Sequence, residues 1–223
     1  MRWGRLGQNG RSRNGRGIPA LWLLSDARRL PDPRAAAARL PRGSAVLARD
    51  LAPGLLRPLS ALARRRGLAL VVAGDGRAAL ALRAGLHLPD RRPAKGLLPF
   101  LVARRGTGGG GLLSVAAHGR AGIARARRLR ADLVILSPVF PTASHPGAPA
   151  LGPLRWAALA RRAGRPAVAL GGVNALNSRR LPRLAAGWGA IGGLSRHTPV
   201  AAWPQCFADV AIRSFAHGRP GRH

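Results

Sequence analysis

The stretch "LALVVAGDGRAALALRAGLHLPD", residues 68–90, decides the fold. It opens on an apolar run, "LALVVAGD" (68–75), that turns polar at its end. An alanine- and leucine-rich segment, "GRAALALRAG", follows, with apolar residues at three- and four-residue spacing. A second apolar run, "GLHLPD" (85–90), closes the unit. Each run is short and unbroken by charge until its end, as in strands buried on both faces. Two such strands joined through a helix are parallel, with the helix as crossover.

The same unit recurs in both directions from this stretch. The remaining runs are "ALWLLSD" (20–26), "SAVLARD" (44–50), "LLSVAAHG" (112–119), "DLVILSP" (132–138), "PAVALGG" (166–172) and "GAIGGLS" (189–195). Between them lie further helical candidates: "PRAAAARL", "LLRPLSALARRRG", "AGIARARRLRA", "LRWAALARRAG" and "SRRLPRLAAG". Arginines take one face of these segments and glycine stands just past several of their ends. Eight strands in so short a chain predict a single (β/α)8 TIM barrel, of class α/β. A doubly wound open sheet is the alternative, because periodicity does not reveal closure. The barrel is assigned to residues 18–200. A basic, disordered N-terminal extension (1–17) precedes it, and a C-terminal helix with a basic tail (201–223) follows. The N-terminal segment lacks the apolar core of a secretory signal, and a transit peptide is its lesser reading.

The net charge is +31, from 38 basic and seven acidic residues. Lys95 is the only lysine, and every acidic residue is aspartate. The arginines are spread along the chain, aromatics are 4% and tyrosine is absent. That composition offers no stacking platform for bases, so a specific nucleic-acid partner is not expected. Adhesion to polyanions through charge alone is. The single cysteine, Cys206, excludes an internal disulfide and fits a cytoplasmic protein. No segment has the apolar length of a membrane span.

A parallel barrel carries its active site at the C-terminal ends of its strands. Asp26, Asp50, Asp75 and Asp90 each end one of the first four runs. The second half supplies His118, Ser137, Thr142, Ser144, His145, Gly171, Gly172 and Ser195. In "ALGGVNALNSRR" (169–180), paired glycines lead into a helix start whose free N–H groups and dipole suit phosphate. "GWGAIGGLS" (187–195) repeats that arrangement at the eighth strand. "RRGTGGGG" (104–111) lacks the Gly-Lys-Ser/Thr of a phosphate loop and reads as a flexible linker. His87 reads as a packed strand histidine. His118, just past the fifth strand, is the candidate general acid/base.

"VILSPVFPTASHPGAPALG" resembles the Gly-Pro-Val/Ile-Phe-Pro-Thr segment of thiamine-phosphate synthases and their thiazole-tautomerase relatives, the ThiE/TenI superfamily. "LWLLSD", "VLARD", "PAVALGGV" and "GWGAIGGLS" are similar to other segments of those proteins, in the same order, across residues 19–196. The resemblance implies a TIM barrel of thiamine biosynthesis that binds hydroxyethylthiazole phosphate. It hands Arg49 to pyrophosphate, and Asp75 to magnesium if the chain is a synthase; otherwise no cofactor is implied. Thr142, Ser144, Gly172 and Ser195 fall to the thiazole phosphate, with His145 standing where the family has lysine. Several diphosphate-side positions depart from the pattern: Leu47, Leu51, Gly74 and Ala116-Ala117 replace polar residues. These losses favour tautomerase-type chemistry with His118 as acid/base. The alternatives are a true synthase condensing pyrimidine diphosphate with thiazole phosphate, and a non-catalytic barrel binding a phosphorylated ligand or RNA. A homo-oligomer is left open.

Overall fold

The computed structural model describes residues 17–90, 92–105, 111–142, 147, 149–191 and 194. Eight parallel strands close into a barrel in sequence order: β1 (Leu21–Leu24), β2 (Ala45–Ala48), β3 (Ala69–Ala73), β4 (Gly85–Leu88), β5 (Leu113–Ala117), β6 (Leu133–Leu136), β7 (Ala167–Ala169) and β8 (Ala185–Ala190). The ring is completed by β1 pairing with β8, Trp22 opposite Gly189. The open-sheet alternative is thereby excluded. Six helices lie among the described residues: α1 (Arg34–Ala38), α2 (Leu56–Arg66), α3 (Gly76–Ala81), α4 (Leu97–Ala103), α5 (Arg120–Arg128) and α6 (Gly152–Ala163).

Alternation along the strands separates two apolar regions. Trp22, Leu24, Leu47, Val71, Leu133, Ile135 and Val168 fill the barrel. Leu23, Val46, Leu86, Leu88, Val115 and Leu136 point outward and pack with helix residues such as Leu59, Phe100, Ile123 and Trp156. Both faces of each strand are covered, which is why the runs carry no charge. The Trp156 indole donates to the Leu136 carbonyl at 3.1 Å, tying α6 to the strand before it.

Glycine ends two helices as expected: Gly67 (φ 64°) after α2 and Gly164 (φ 59°) after α6. Two helix assignments change. "SRRLPRLAAG" forms only a 3-10 turn, Ser178–Arg180. Pro182 lacks an N–H and forces the residue before it out of the helical region, and Leu181 is extended at ψ 143°. The eighth strand accordingly begins earlier, at Ala185 rather than at Gly189. Helix α4, "LLPFLVA", is an addition. Its apolar spacing, with Phe100 buried and Leu97 and Leu101 half-buried, was present in the sequence, and Pro99 is tolerated because it lies in the first turn.

At the N-terminal end of the barrel, Asp132 is buried against Arg104 Nη2 at 2.6 Å and accepts the Leu113 N–H at 2.8 Å. A buried ion pair at this end of such a barrel, away from the C-terminal face that carries the chemistry, serves the fold. No helix among the described residues is long and apolar enough to cross a membrane. The terminal segments 1–16 and 201–223, with Cys206, and residues 106–110 of the glycine-rich linker lie outside the described residues.

Candidate active site

The C-terminal rim brings together the residues that end β1 to β5. Ser25, buried past β1, donates its hydroxyl to the Arg49 carbonyl at 2.6 Å and accepts the Arg49 N–H at 2.7 Å. This double bond pattern fixes the end of β2 against β1. Asp26 then accepts from Arg49 Nη2 at 2.5 Å, from Arg29 Nη2 at 3.1 Å, and from the backbone N–H groups of Arg28 and Arg29. The Arg29 side chain, aided by those backbone groups, holds the Asp26 carboxyl well below the usual carboxylate range. Arg49, expected at a pyrophosphate, is thus already paired. Its Nε is buried without a hydrogen-bond partner among the described residues, although Asp50 Oδ2 lies 3.5 Å away.

Asp75 has a local task. Its Oδ1 accepts the Ala78 N–H at 2.9 Å and caps α3. Asp90 stands near the neighbouring strand's histidine, with Oδ2 3.9 Å from His118 Nε2. Among the described residues no three carboxylates, imidazoles or thiols gather into a metal site. One capping carboxylate and one turned toward an imidazole do not make a magnesium site from protein groups alone.

His118 is held by its other nitrogen. Nδ1 lies 2.8 Å from the Ser137 carbonyl and 3.2 Å from the Ser137 hydroxyl. A carbonyl only accepts, so Nδ1 carries the proton, and in the neutral ring Nε2 keeps the lone pair. The side chain is 51% exposed, with Nε2 toward Asp90. Arg125 donates to the carbonyls of Pro89, at 2.5 Å, and Asp90, fixing the loop that presents the aspartate.

The β6–β7 side of the rim is built by packing. Val139 N–H bonds to the Leu170 carbonyl at 2.9 Å and Phe140 N–H to the Gly171 carbonyl at 3.1 Å. Arg180 sits over the Phe140 ring, 5.9 Å from its centroid. A Cβ on Gly171 would fall 2.6 Å from the Pro138 side chain, and one on Gly172 would fall 2.2 Å from the Pro141 carbonyl oxygen. Both glycines have positive φ, 90° and 66°. Their lack of a side chain admits the protein's own loop.

The anticipated helix N-terminus beyond them is one 3-10 turn whose donors are largely taken. Asn174 Oδ1 accepts the N–H groups of Leu176 and Asn177, Asn177 Oδ1 accepts that of Asn174, and Asn177 Nδ2 donates to the Gly172 carbonyl. Thr142 is half-buried at the end of the described part of this loop. Ser144, His145 and Ser195 lie outside the described residues.

His87 is buried inside the barrel, with Nδ1 2.9 Å from Ser114 Oγ. Burial, then the charges of Arg49 and Arg125, push its pKa down to about 3. It is a neutral packed histidine, as the sequence suggested. Sequence inspection missed the Asp90–His118 approach. The signal was available, since both residues directly follow adjacent strands. A cavity of about 520 Å3 lies at the other end of the barrel and shares no residue with this rim.

The family model for thiamine monophosphate synthase matches residues 50–199, well over half of the chain. The chain belongs to this family. A putative thiamine-phosphate synthase of Geobacter sulfurreducens is 35% identical over 128 residues, 55% of this chain and 56% of that protein. A thiamine-phosphate synthase of a Mycobacterium species is 37% identical over 134 residues, 58% of this chain and 54% of that protein. The chain thus spans about half the length of the curated relatives it matches. In three dimensions, the thiamine phosphate pyrophosphorylase of Pyrococcus furiosus superposes with a TM-score of 0.65 at 20% identity, covering 88% of this chain and 96% of that one. A 2-keto-3-deoxy-6-phosphogluconate aldolase of Zymomonas mobilis follows at 0.54 and 14%. At these identities the likeness is one of fold, which hosts many chemistries.

Proposed function

We propose that this chain is an enzyme of thiamine biosynthesis that binds hydroxyethylthiazole phosphate and favours tautomerase-type proton transfer. The observation that carries this reading is the setting of His118. Its protonated Nδ1 is anchored on the Ser137 carbonyl, and its Nε2 faces the open rim beside Asp90. Nε2 removes a proton from the thiazole ring carbon, and the resulting imidazolium returns one to the exocyclic carbon, leaving an aromatic ring. Asp90 stands where it can balance the imidazolium between the two transfers. Ligand phosphate falls to Thr142, Ser144, His145, Gly171, Gly172 and Ser195, on the resemblance to the family.

The diphosphate side supports the preference. Arg49 is paired with Asp26, Asp75 caps α3, and Leu47 is buried inside the barrel. A synthase would ask the first two to serve diphosphate and its magnesium instead. The test is to incubate the protein with the carboxythiazole phosphate tautomer, and separately with pyrimidine diphosphate, thiazole phosphate and magnesium. Aromatisation in the first mixture supports tautomerase chemistry. Thiamine phosphate formed in the second, with no aromatisation in the first, makes the chain a synthase.

A further inference from the structure

We propose that the N-terminal face of the barrel, opposite the candidate active site, binds duplex nucleic acid through its phosphates without reading sequence. The topology sorts the charges. Asp26, Asp32, Asp50, Asp75 and Asp90 all lie on loops that leave the C-terminal ends of strands. Among the described residues Asp132 is the one acid at the N-terminal end, and it is buried and matched by Arg104. Helices α2, α5 and α6 finish at this end in Arg64-Arg65-Arg66, Arg127-Arg128 and Arg161-Arg162, all exposed.

Helix dipoles favour cations at those positions, which accounts for part of the pattern. They do not account for Arg42, Arg83, Arg105, Arg130 and Arg183, which are exposed in the loops entering the next strands. The result is a ring of guanidinium groups with no surface counter-charge among the described residues. Arginine's planar fork matches phosphate oxygens in pairs. A cavity of about 520 Å3 opens within the ring, with Arg64 and Arg83 in its lining.

The partner's chemistry follows from what the face lacks. No aromatic side chain of the described residues is exposed, so single strands gain no stacking. Val102, 59% exposed in the last turn of α4, and Leu184, 37% exposed, are the large exposed apolar residues near this end among those described, too little to anchor in a lipid surface. A rigid polymer with regularly spaced phosphates fits a distributed cationic ring, and its binding is salt-dependent and indifferent to sequence. This site is independent of the thiazole chemistry at the other end.

The experiment is fluorescence anisotropy of a labelled 24-base-pair random-sequence RNA duplex, and its DNA counterpart, across a potassium chloride series. The full chain is compared with Arg65→Gln/Arg66→Gln/Arg128→Gln/Arg162→Gln and with a control carrying Arg34→Gln/Arg57→Gln/Arg120→Gln/Arg155→Gln at the opposite end. Both variants retain the terminal arginines, and matching thermal melts establish folding. The full chain is expected to bind with a micromolar Kd at physiological salt. The first variant loses at least tenfold, its log–log salt slope falling by about 3. The control changes less than threefold. Equal losses in the two variants, no binding at 150 mM salt, or tighter binding to phosphatidylserine vesicles than to either duplex would overturn the proposal.

Discussion

From β1 to β5 the C-terminal rim is lined by aspartates, most of them beside an arginine or a histidine, whereas from β6 to β7 it is a shelf built by packing, with Arg180 over Phe140. On the first side, Asp26 accepts from both Arg29 and Arg49, and Asp90 faces His118. On the second, Gly171 and Gly172 let Pro138 and Pro141 close onto the end of β7, and two asparagines satisfy the turn that follows. The contrast teaches that residue types alone leave out the internal contacts the same residues also make. Glycines and an Asn-Ser pair beside a strand end suggest a phosphate cradle, and the same segment also packs against the protein's own loop and closes its own turn. The proposed proton transfer falls at the junction of the two sides, where His118 on the first is anchored by Ser137 on the second.

The largest expected effect is at that junction. His118→Ala should lower aromatisation of the thiazole tautomer about 10²- to 10⁴-fold while leaving the melting temperature unchanged, since the ring is half exposed. A small loss would move the chemistry away from the charged side. Next, Gly172→Ala should destabilise the fold by about 2–4 kcal/mol in urea titration, combining a left-handed backbone with a clash against a carbonyl. A cost under about 0.5 kcal/mol would mean that the shelf yields easily, and would leave ligand approach as the reason for the glycines.

Asp90→Asn should reduce turnover by about tenfold, roughly 1.4 kcal/mol of barrier, with binding of thiazole phosphate retained. Unchanged turnover would leave Ser137 as the one described residue that supports His118. The smallest effect concerns His87. Its imidazole stays neutral in the fold down to about pH 3, while in the unfolded chain it gains a proton below about pH 6.5. The unfolded state therefore binds more protons in that window, and stability falls as pH drops through it. Between pH 6.5 and 4.5, His87→Gln should show a flatter decline in melting temperature than the parent chain. Equal slopes would place the acid sensitivity elsewhere.

Much of the barrel was legible in the sequence because both faces of a parallel strand are buried, so "LALVVA" and "LVIL" stand out as uncharged runs. The rim aspartates were legible for the same reason, Asp26, Asp75 and Asp90 being the first charge after such a run and Asp50 following Arg49. Less legible were features set by distant contacts. Pro182 marked a helix break that alanine and leucine content around it obscured. The glycine pair at 171–172 serves a loop thirty residues earlier, a relation no local pattern encodes. The partner of His118 depended on which strand lies beside β5, and the β4–β5 pairing supplied it.

The most direct measurement of the central claim is proton exchange at the thiazole. With the carboxythiazole phosphate tautomer in deuterium oxide, the product formed by the parent chain should carry deuterium at the exocyclic carbon, read by NMR. His118→Ala should form that product no faster than buffer. Labelled product appearing at the same rate with and without His118, in folded protein, would contradict the account.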